Sequence, residues 1–285
     1  MEEYVLIAMS VLVTKADGKK QLFDREKIVN TCIRMGASRE IADEITKKIE
    51  MEVYDGIETK KILQMIFRLL GKYKSAVKHI ICLRESLSLL KPKPDFERFI
   101  QILLREQGYR VTPNQIVRGR CVEHEVDAIA RKHGQTFIVE VKHHLKFHTR
   151  TGLDESRIAW AILEDVNEGF EVGLNNLKID KAMIVTNTKF SEQAKRYSEC
   201  KGIHQIGWSS PPYRGLQTLI EEKKLYPITF LNGLTETRKR LASKGIILLQ
   251  QLLEMDPVEI EEITGISKKT LMLTIEKAKT ILSGY

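Results

Sequence analysis

Glu125 and Asp127 alternate along one apolar stretch, and Glu140 and Lys142 alternate along another. Between the stretches, His133-Gly134 has the composition of a two-residue hairpin turn. That turn makes Glu125–Ala130 and Thr136–Lys142 antiparallel neighbours. Asp127 then falls directly opposite Glu140, and Glu125 opposite Lys142. A spacing of two on each strand puts all four side chains on one face. Carboxylates opposed across a strand pair stand about 5 Å apart at Cβ and repel. A hard divalent cation with oxygen ligands, Mg²⁺ or Mn²⁺, offsets that repulsion and takes a substrate phosphate oxygen as a further ligand. Lys142 lies about 7 Å from Glu140 along the strand, where an ammonium can hold an attacking water or stabilise charge on a phosphorus centre. The chemistry this suggests is phosphodiester hydrolysis, with Asp127 and Glu140 as metal ligands. The competing arrangement pairs Glu125 with Lys142 across a solvated sheet face and leaves Asp127 hydrated.

A third carboxylate, Glu97, stands upstream. Phe96, Phe99, Ile100, Leu103 and Leu104 form one apolar arc at helical spacing. The pattern predicts a helix over 95–110, with Asp95 as N-cap and Gly108 as its stop. Glu97 falls at the border of that arc, where it can reach a site beside the core or simply interact with the helix dipole.

Other residues nearby carry weaker signals. His143, His144 and His148 resemble a metal cluster, but with oxygen ligands already at hand they are read as phosphate-proximal or packing residues. His124 should face away from the carboxylates. Arg118, Arg120, Lys146 and Arg150 are candidate phosphate contacts. Trp160 and Trp208 are read as core anchors.

The chain has 285 residues, enough for two or three domains. Its 42% hydrophobic and 29% charged residues are those of a globular protein rather than a disordered one. The apolar run Val5–Val13 is too short to span a bilayer, so a soluble cytoplasmic protein with no membrane partner is expected. Four dispersed cysteines form no CxxC, which points to reduced thiols. The net charge of +8 favours a polyanionic partner. Residues 95–213 nevertheless carry 17 Lys and Arg against 16 Asp and Glu. Carboxylates so abundant in a nucleic-acid binder have a reason to be there if a divalent cation is bound.

Lys91-Pro92-Lys93-Pro94 reads as an extended linker, and Ser209-Ser210-Pro211-Pro212 as a second boundary. These give domains at 1–91, 95–212 and 228–285, with a connecting helix at Leu216–Leu225. The first segment reads as a strand pair turning at Ala16-Asp17-Gly18. Helices follow from Arg25 (N-cap Asp24) to Met35, Ser38 to Glu52, Thr59 to Tyr73 and Ser75 to Leu90. After the middle hairpin come a strand at 182–187, a helix capped by Ser191 and a strand at 203–208.

Three resemblances rest on these residues. Lys15-Ala16-Asp17-Gly18 followed by Phe23-Asp24-Arg25-Glu26-Lys27-Ile28 resembles the ATP-cone, a small nucleotide-binding regulatory domain. That resemblance implies that Lys15 and Lys27 face nucleotide phosphates, with ATP or dATP as effector. Ala16 replaces the usual Arg, and Lys78-His79 stand where Arg and an aromatic are common. Residues 95–212 resemble the Mrr-like branch of the PD-(D/E)xK nucleases, which implies Glu97, Asp127, Glu140 and Lys142 as the catalytic set. Val126 stands where the superfamily name has proline. Leu231-Asn232-Gly233-Leu234-Thr235 and Ile263-Thr264-Gly265-Ile266-Ser267 resemble tandem helix-hairpin-helix motifs, with Asp256-Pro257 starting the helix between them. That implies DNA-backbone contact through Gly233, Gly265, Lys268 and Lys269.

The expected fold is therefore multidomain α/β. It comprises a helical ATP-cone with a small β-hairpin, a restriction-endonuclease-like α/β core with a central mixed sheet, and an all-α helix-hairpin-helix tail. The expected function is a Mg²⁺-dependent DNA endonuclease acting as a homodimer. The alternative is a nucleotide-responsive DNA-binding regulator that keeps the nuclease fold with little cleavage.

Overall fold

His133 and Gly134 both adopt positive φ, 51° and 76°, which is the backbone a two-residue turn between twisted strands demands. In the computed structural model, which describes residues 11–284, they join strands β4 (Glu123–Lys132) and β5 (Gln135–Lys142). Most of the expected Val5–Val13 run lies outside the described residues.

The described chain forms two compact units. One comprises Cys82–Phe230 with Thr235–Glu254. The other comprises the residues up to Ile81 with Leu231–Leu234 and those from Met255 onward. These limits differ from the linker-based boundaries. The segment 82–91 belongs with the middle of the chain, and the C-terminal stretch is shared between the units.

The smaller unit begins, among the described residues, with β1 (Leu12–Thr14) and β2 (Lys20–Leu22), an antiparallel pair. Helices α1 (Arg25–Arg34), α2 (Arg39–Glu50) and α3 (Thr59–Leu70) follow. Asp24 caps α1 by accepting from the Lys27 N–H at 3.3 Å, and Ser38 caps α2 by accepting from the Ile41 N–H at 3.4 Å. Each such cap contributes about 1 kcal/mol. The single helix expected over Ser75–Leu90 is not formed. A 3₁₀ turn at Ser75–His79 ends where Ile80 makes a β-bridge to Leu231, and a new short helix, α4 (Leu83–Ser88), starts in the other unit.

In the larger unit, α5 (Glu97–Glu106) is followed by β3 (Arg110–Arg118) and the β4–β5 hairpin. The short β6 (Arg150–Thr151) and the 19-residue α6 (Leu153–Glu171) come next. After these come β7 (Lys181–Thr186), β8 (Lys189–Phe190), α7 (Glu192–Lys201), β9 (His204–Ile206) and α8 (Leu216–Glu222). The main sheet has the order β3-β4-β5-β7-β9. Its first three strands are antiparallel and its last three parallel, so it is the mixed sheet expected. Ile129, Ile138, Ile184, Leu163, Val166 and Phe190 are buried together in its core.

Asp95 is not the α5 cap. Residues Pro92–Phe96 form a kinked turn in which Lys93 is extended, Asp95 is buried, and the helix starts without a side-chain cap. Gly108 does stop the helix region, at φ 84°. Ser191 caps α7 as expected, accepting from the Ala194 N–H at 3.1 Å.

The C-terminal stretch contributes α9 (Thr235–Ser243) and α10 (Gln251–Glu254) to the larger unit. To the other unit it contributes α11 (Pro257–Thr264) and α12 (Lys268–Gly284). Asp256 caps α11 with Pro257 at its first position. Among the described residues, no helix is long and apolar enough to cross a membrane.

Candidate active site

The β4–β5 ladder runs in the expected register but ends early. Its last bridged pair is Ala128 with Val139, so Asp127 and Glu140 are not a ladder pair. The Asp127 carboxylate replaces the missing strand contact, accepting from the Val141 N–H at 2.7 Å. Its own carbonyl accepts from Gln101 Nε2 at 3.3 Å, which ties the strand to α5. Glu125 pairs with Ile116 on β3 and not with Lys142. The cross-strand Glu125–Lys142 arrangement is thus replaced by two separate cation–carboxylate clusters at the open end of the hairpin.

The first cluster centres on Lys93. Its ammonium lies 3.2 Å from Glu125, 3.3 Å from Glu97 and 3.6 Å from Asp127. Glu97 and Asp127 are buried, whereas the Lys93 side chain is 63% exposed and can leave. Burial opposes the Lys93 charge, but Glu125, Glu97 and Asp127 outweigh it and raise its pKa. Glu97 is held above the usual carboxylate range, first by burial and then by the Asp127 charge.

The second cluster centres on Lys142. Its ammonium lies 3.7 Å from Glu140 and 3.1 Å from Glu155 on α6, the latter a charge contact rather than an aligned hydrogen bond. Burial works against the Lys142 charge, yet Glu155, Glu140 and Asp127 raise its pKa. Glu140 is 8% exposed, and its Oε1 is buried with no hydrogen-bond partner. Burial and then the Asp127 charge push its pKa up to about 7. The hairpin therefore ends in an acidic pair that its lysine neighbours only partly neutralise.

The structure brings Glu97 and Asp127 together with Lys93, and Glu140 together with Lys142. Sequence reading missed Lys93, Glu155 and Gln101. Lys93 sits between two prolines and reads only as linker. Glu155 lies on a helix that carried no separate signal.

The histidines do not form a cluster. His143 Nε2 donates to the Leu87 carbonyl at 3.0 Å, and its ring packs on Phe96 with centroids 4.9 Å apart. His144 Nε2 lies 3.2 Å from Thr151 Oγ1, and its backbone exchanges two hydrogen bonds with the Asn187 side chain. Burial lowers the pKa of both rings, so they are neutral packing and positioning groups. His124 faces elsewhere, 2.7 Å from Asp165 on α6. Among the described residues, no three His, Cys, Asp or Glu side chains are arranged to hold a metal ion by themselves.

The outlying candidates are dispersed. Arg118 and Arg120 are exposed near the end of β3, with Arg120 3.7 Å from Glu168, and Lys146 is exposed in the loop after β5. Lys27 pairs with Asp24 at 3.1 Å, and the Lys15 backbone closes the β1–β2 turn. Gly233 and Gly265 adopt positive φ, 71° and 63°. At the helix start after Gly265 the backbone amides are engaged. The Lys268 N–H donates to Glu261 Oε1 at 3.0 Å and the Ile266 N–H to Thr264 at 3.3 Å, so these amides are already satisfied. Lys268 and Lys269 are both exposed there.

Family models match three stretches of the chain. These are an ATP cone domain over 11–86, a restriction endonuclease domain over 91–206 and an AF1548-like C-terminal domain over 226–282. An uncharacterized protein of Archaeoglobus fulgidus is 36% identical over 181 residues, which are 63% of this chain and 98% of that protein. A second uncharacterized protein of Archaeoglobus fulgidus is 45% identical over 38 residues, 13% of this chain and 81% of its own. Among solved structures, that of the protein of unknown function AF1548 is 33% identical with a TM-score of 0.55. It covers 72% of this chain and 100% of its own.

Proposed function

The chain belongs to the family of the AF1548 protein and carries a restriction endonuclease domain behind an ATP cone, and on that footing we propose that it is a divalent-cation-dependent DNA endonuclease. The observation that supports this most is Glu140. A buried carboxylate with an unpartnered oxygen, a pKa near 7 and a second acid beside it is costly unless a cation joins it. The donors are oxygens, which suit Mg²⁺ or Mn²⁺. Asp127 and Glu140 would hold the ion, with Glu97 able to contribute once Lys93 moves away. Such an ion, when bound, supplies Lewis acidity and an activated water.

The chain's own residues do the rest. Lys142, held by Glu155, presents a permanent positive charge beside Glu140, where charge develops on a phosphoryl oxygen. The Val141 N–H fixes the Asp127 carboxylate, and the Asn187 side chain pins the backbone at His144, two residues beyond Lys142. These contacts hold the constellation without rotamer search.

The remaining assignments belong to the same proposal. ATP or dATP acts as effector through the cone, with Lys15 and Lys27 near its phosphates. Arg118, Arg120 and Lys146 contact DNA backbone, and the C-terminal helices add sequence-independent contacts around Gly233, Gly265, Lys268 and Lys269. The domains act as 1–91, 95–212 and 228–285 in function, the protein works as a homodimer, and it resides in the cytoplasm.

One observation favours a second reading. Lys93 already places its ammonium among Glu97, Glu125 and Asp127, as it would in a nucleotide-responsive DNA-binding regulator that cleaves little. Cleavage assays on duplex, single-stranded and branched DNA, with and without Mg²⁺ or Mn²⁺ and ATP, separate the two. Metal-dependent products support the nuclease. DNA binding without products under every condition supports the regulator.

A further inference from the structure

Arg84 lies on α4, and its guanidinium carbon is 5.7 Å from the Phe147 ring centroid and 5.7 Å from that of Trp208. No carboxylate charge acts on it among the described residues, and its Nε is buried without a hydrogen-bond partner. A buried N–H donor is ordinarily hydrogen-bonded, yet this partly buried guanidinium leaves its Nε unpaired. Arg84 instead has Arg150 in its neighbourhood. Burial, with the Arg150 charge adding to it, lowers the Arg84 pKa to about 10. Arg150 itself reaches the Phe190 carbonyl at 3.2 Å and Glu192 at 3.9 Å.

Two aromatic rings lie against the guanidinium, and among the described residues no hydrogen bond uses its terminal N–H groups. Such a planar fork matches two oxygens of a phosphate. The position also has a relation to the reactive strand. Phe147 belongs to the loop that leaves β5 after Lys142, and His143, the first residue of that loop, bonds to Leu87 on the same helix as Arg84.

We propose that Arg84, seated between Phe147 and Trp208, binds a backbone phosphodiester of DNA other than the one presented to Lys142. This rests on the reading of the chain as a DNA-binding nuclease and deepens it, because it gives the substrate a second fixed phosphate.

The test measures binding in EDTA, where no cleavage occurs, so it is independent of catalysis. The chain has two tryptophans, and Trp160→Phe leaves Trp208 as the only reporter. A duplex oligonucleotide should change Trp208 emission, and ATP should not. Arg84→Gln should weaken duplex affinity about tenfold and make the salt slope shallower by about one. Arg84→Lys, which keeps the charge but not the fork, should fall between in affinity and keep the wild-type salt slope. The melting temperature of each variant shows that it is folded.

Unchanged affinity and salt slope in folded Arg84→Gln would overturn the proposal. If that variant misfolds, wild-type affinity in Arg84→Lys would do so. Trp208 emission that responds to ATP and not to DNA would also overturn it, assigning the phosphate to a free nucleotide. Wild-type protein that binds DNA through Arg84 yet never cleaves it with Mg²⁺ would end the nuclease reading and leave this one standing.

Discussion

Glu140→Gln should stabilise the metal-free protein, and by an amount that depends on pH. Glu140 ionises near its ordinary value of 4.5 in the unfolded chain and at about 7 in the fold. A raised acid contributes stability that is fully present below the unfolded pKa and is lost as pH rises through the folded one. At about 1.4 kcal/mol per unit of displacement, the loss between about pH 5 and about pH 8 is roughly 2.5 kcal/mol. For a unit of roughly 150–250 residues, that corresponds to a fall of about 5–10 °C in melting temperature. Glutamine keeps the shape and cannot ionise, so the variant lacks this contribution. The assay is thermal unfolding in EDTA across that pH range, with wild type and variant side by side. The two should be close near pH 5, and the variant should melt higher by about 5–10 °C near pH 8. Mg²⁺ at the higher pH should narrow the gap by stabilising only the wild type. A gap that stays constant with pH would refute the reasoning that Glu140 is a buried, uncompensated acid.

Lys93→Met should raise Mn²⁺ affinity a few-fold, on the order of 1 kcal/mol for a partly exposed ammonium, as read by electron paramagnetic resonance of free Mn²⁺. A weaker or unchanged affinity would mean that Lys93 does not compete for the carboxylates. Glu155→Gln should lower the rate of cleavage about tenfold or more while leaving DNA affinity near wild type, because it frees an oriented ammonium without removing it. Lys15→Ala and Lys27→Ala should each weaken ATP binding to the full chain about tenfold by calorimetry. Lys268→Ala with Lys269→Ala should weaken binding equally on unrelated duplexes and make the salt slope shallower by about two.

Where sequence and structure agree, the signal is local. His133-Gly134 sets the hairpin register through its own backbone, and Asp24, Ser191 and Asp256 cap helices through one bond each. The reading fails where an outcome depends on chain far away. The ladder ends before Asp127 because its carboxylate captures the Val141 amide, a choice no spacing rule contains. Strand β3 carries mostly exposed residues, so it shows little alternation. The helix expected over Ser75–Leu90 breaks where Ile80 bridges Leu231, a contact between residues far apart in sequence. Lys93 was legible as a linker lysine, but only the kinked turn at Pro92–Phe96 puts its ammonium among three carboxylates. The helices of the tail divide between the two compact units, a partition that no local composition shift marks.

The most direct test of the central claim is cleavage of a supercoiled plasmid by the full chain in Mg²⁺, compared with Asp127→Asn, Glu140→Gln and Lys142→Ala. The expected result is nicked or linear product with the wild type that vanishes in EDTA. Each variant should fall in rate by about a thousandfold or more while still binding DNA. Cleavage at wild-type rate by any of the three, or cleavage that persists in EDTA, would contradict the account.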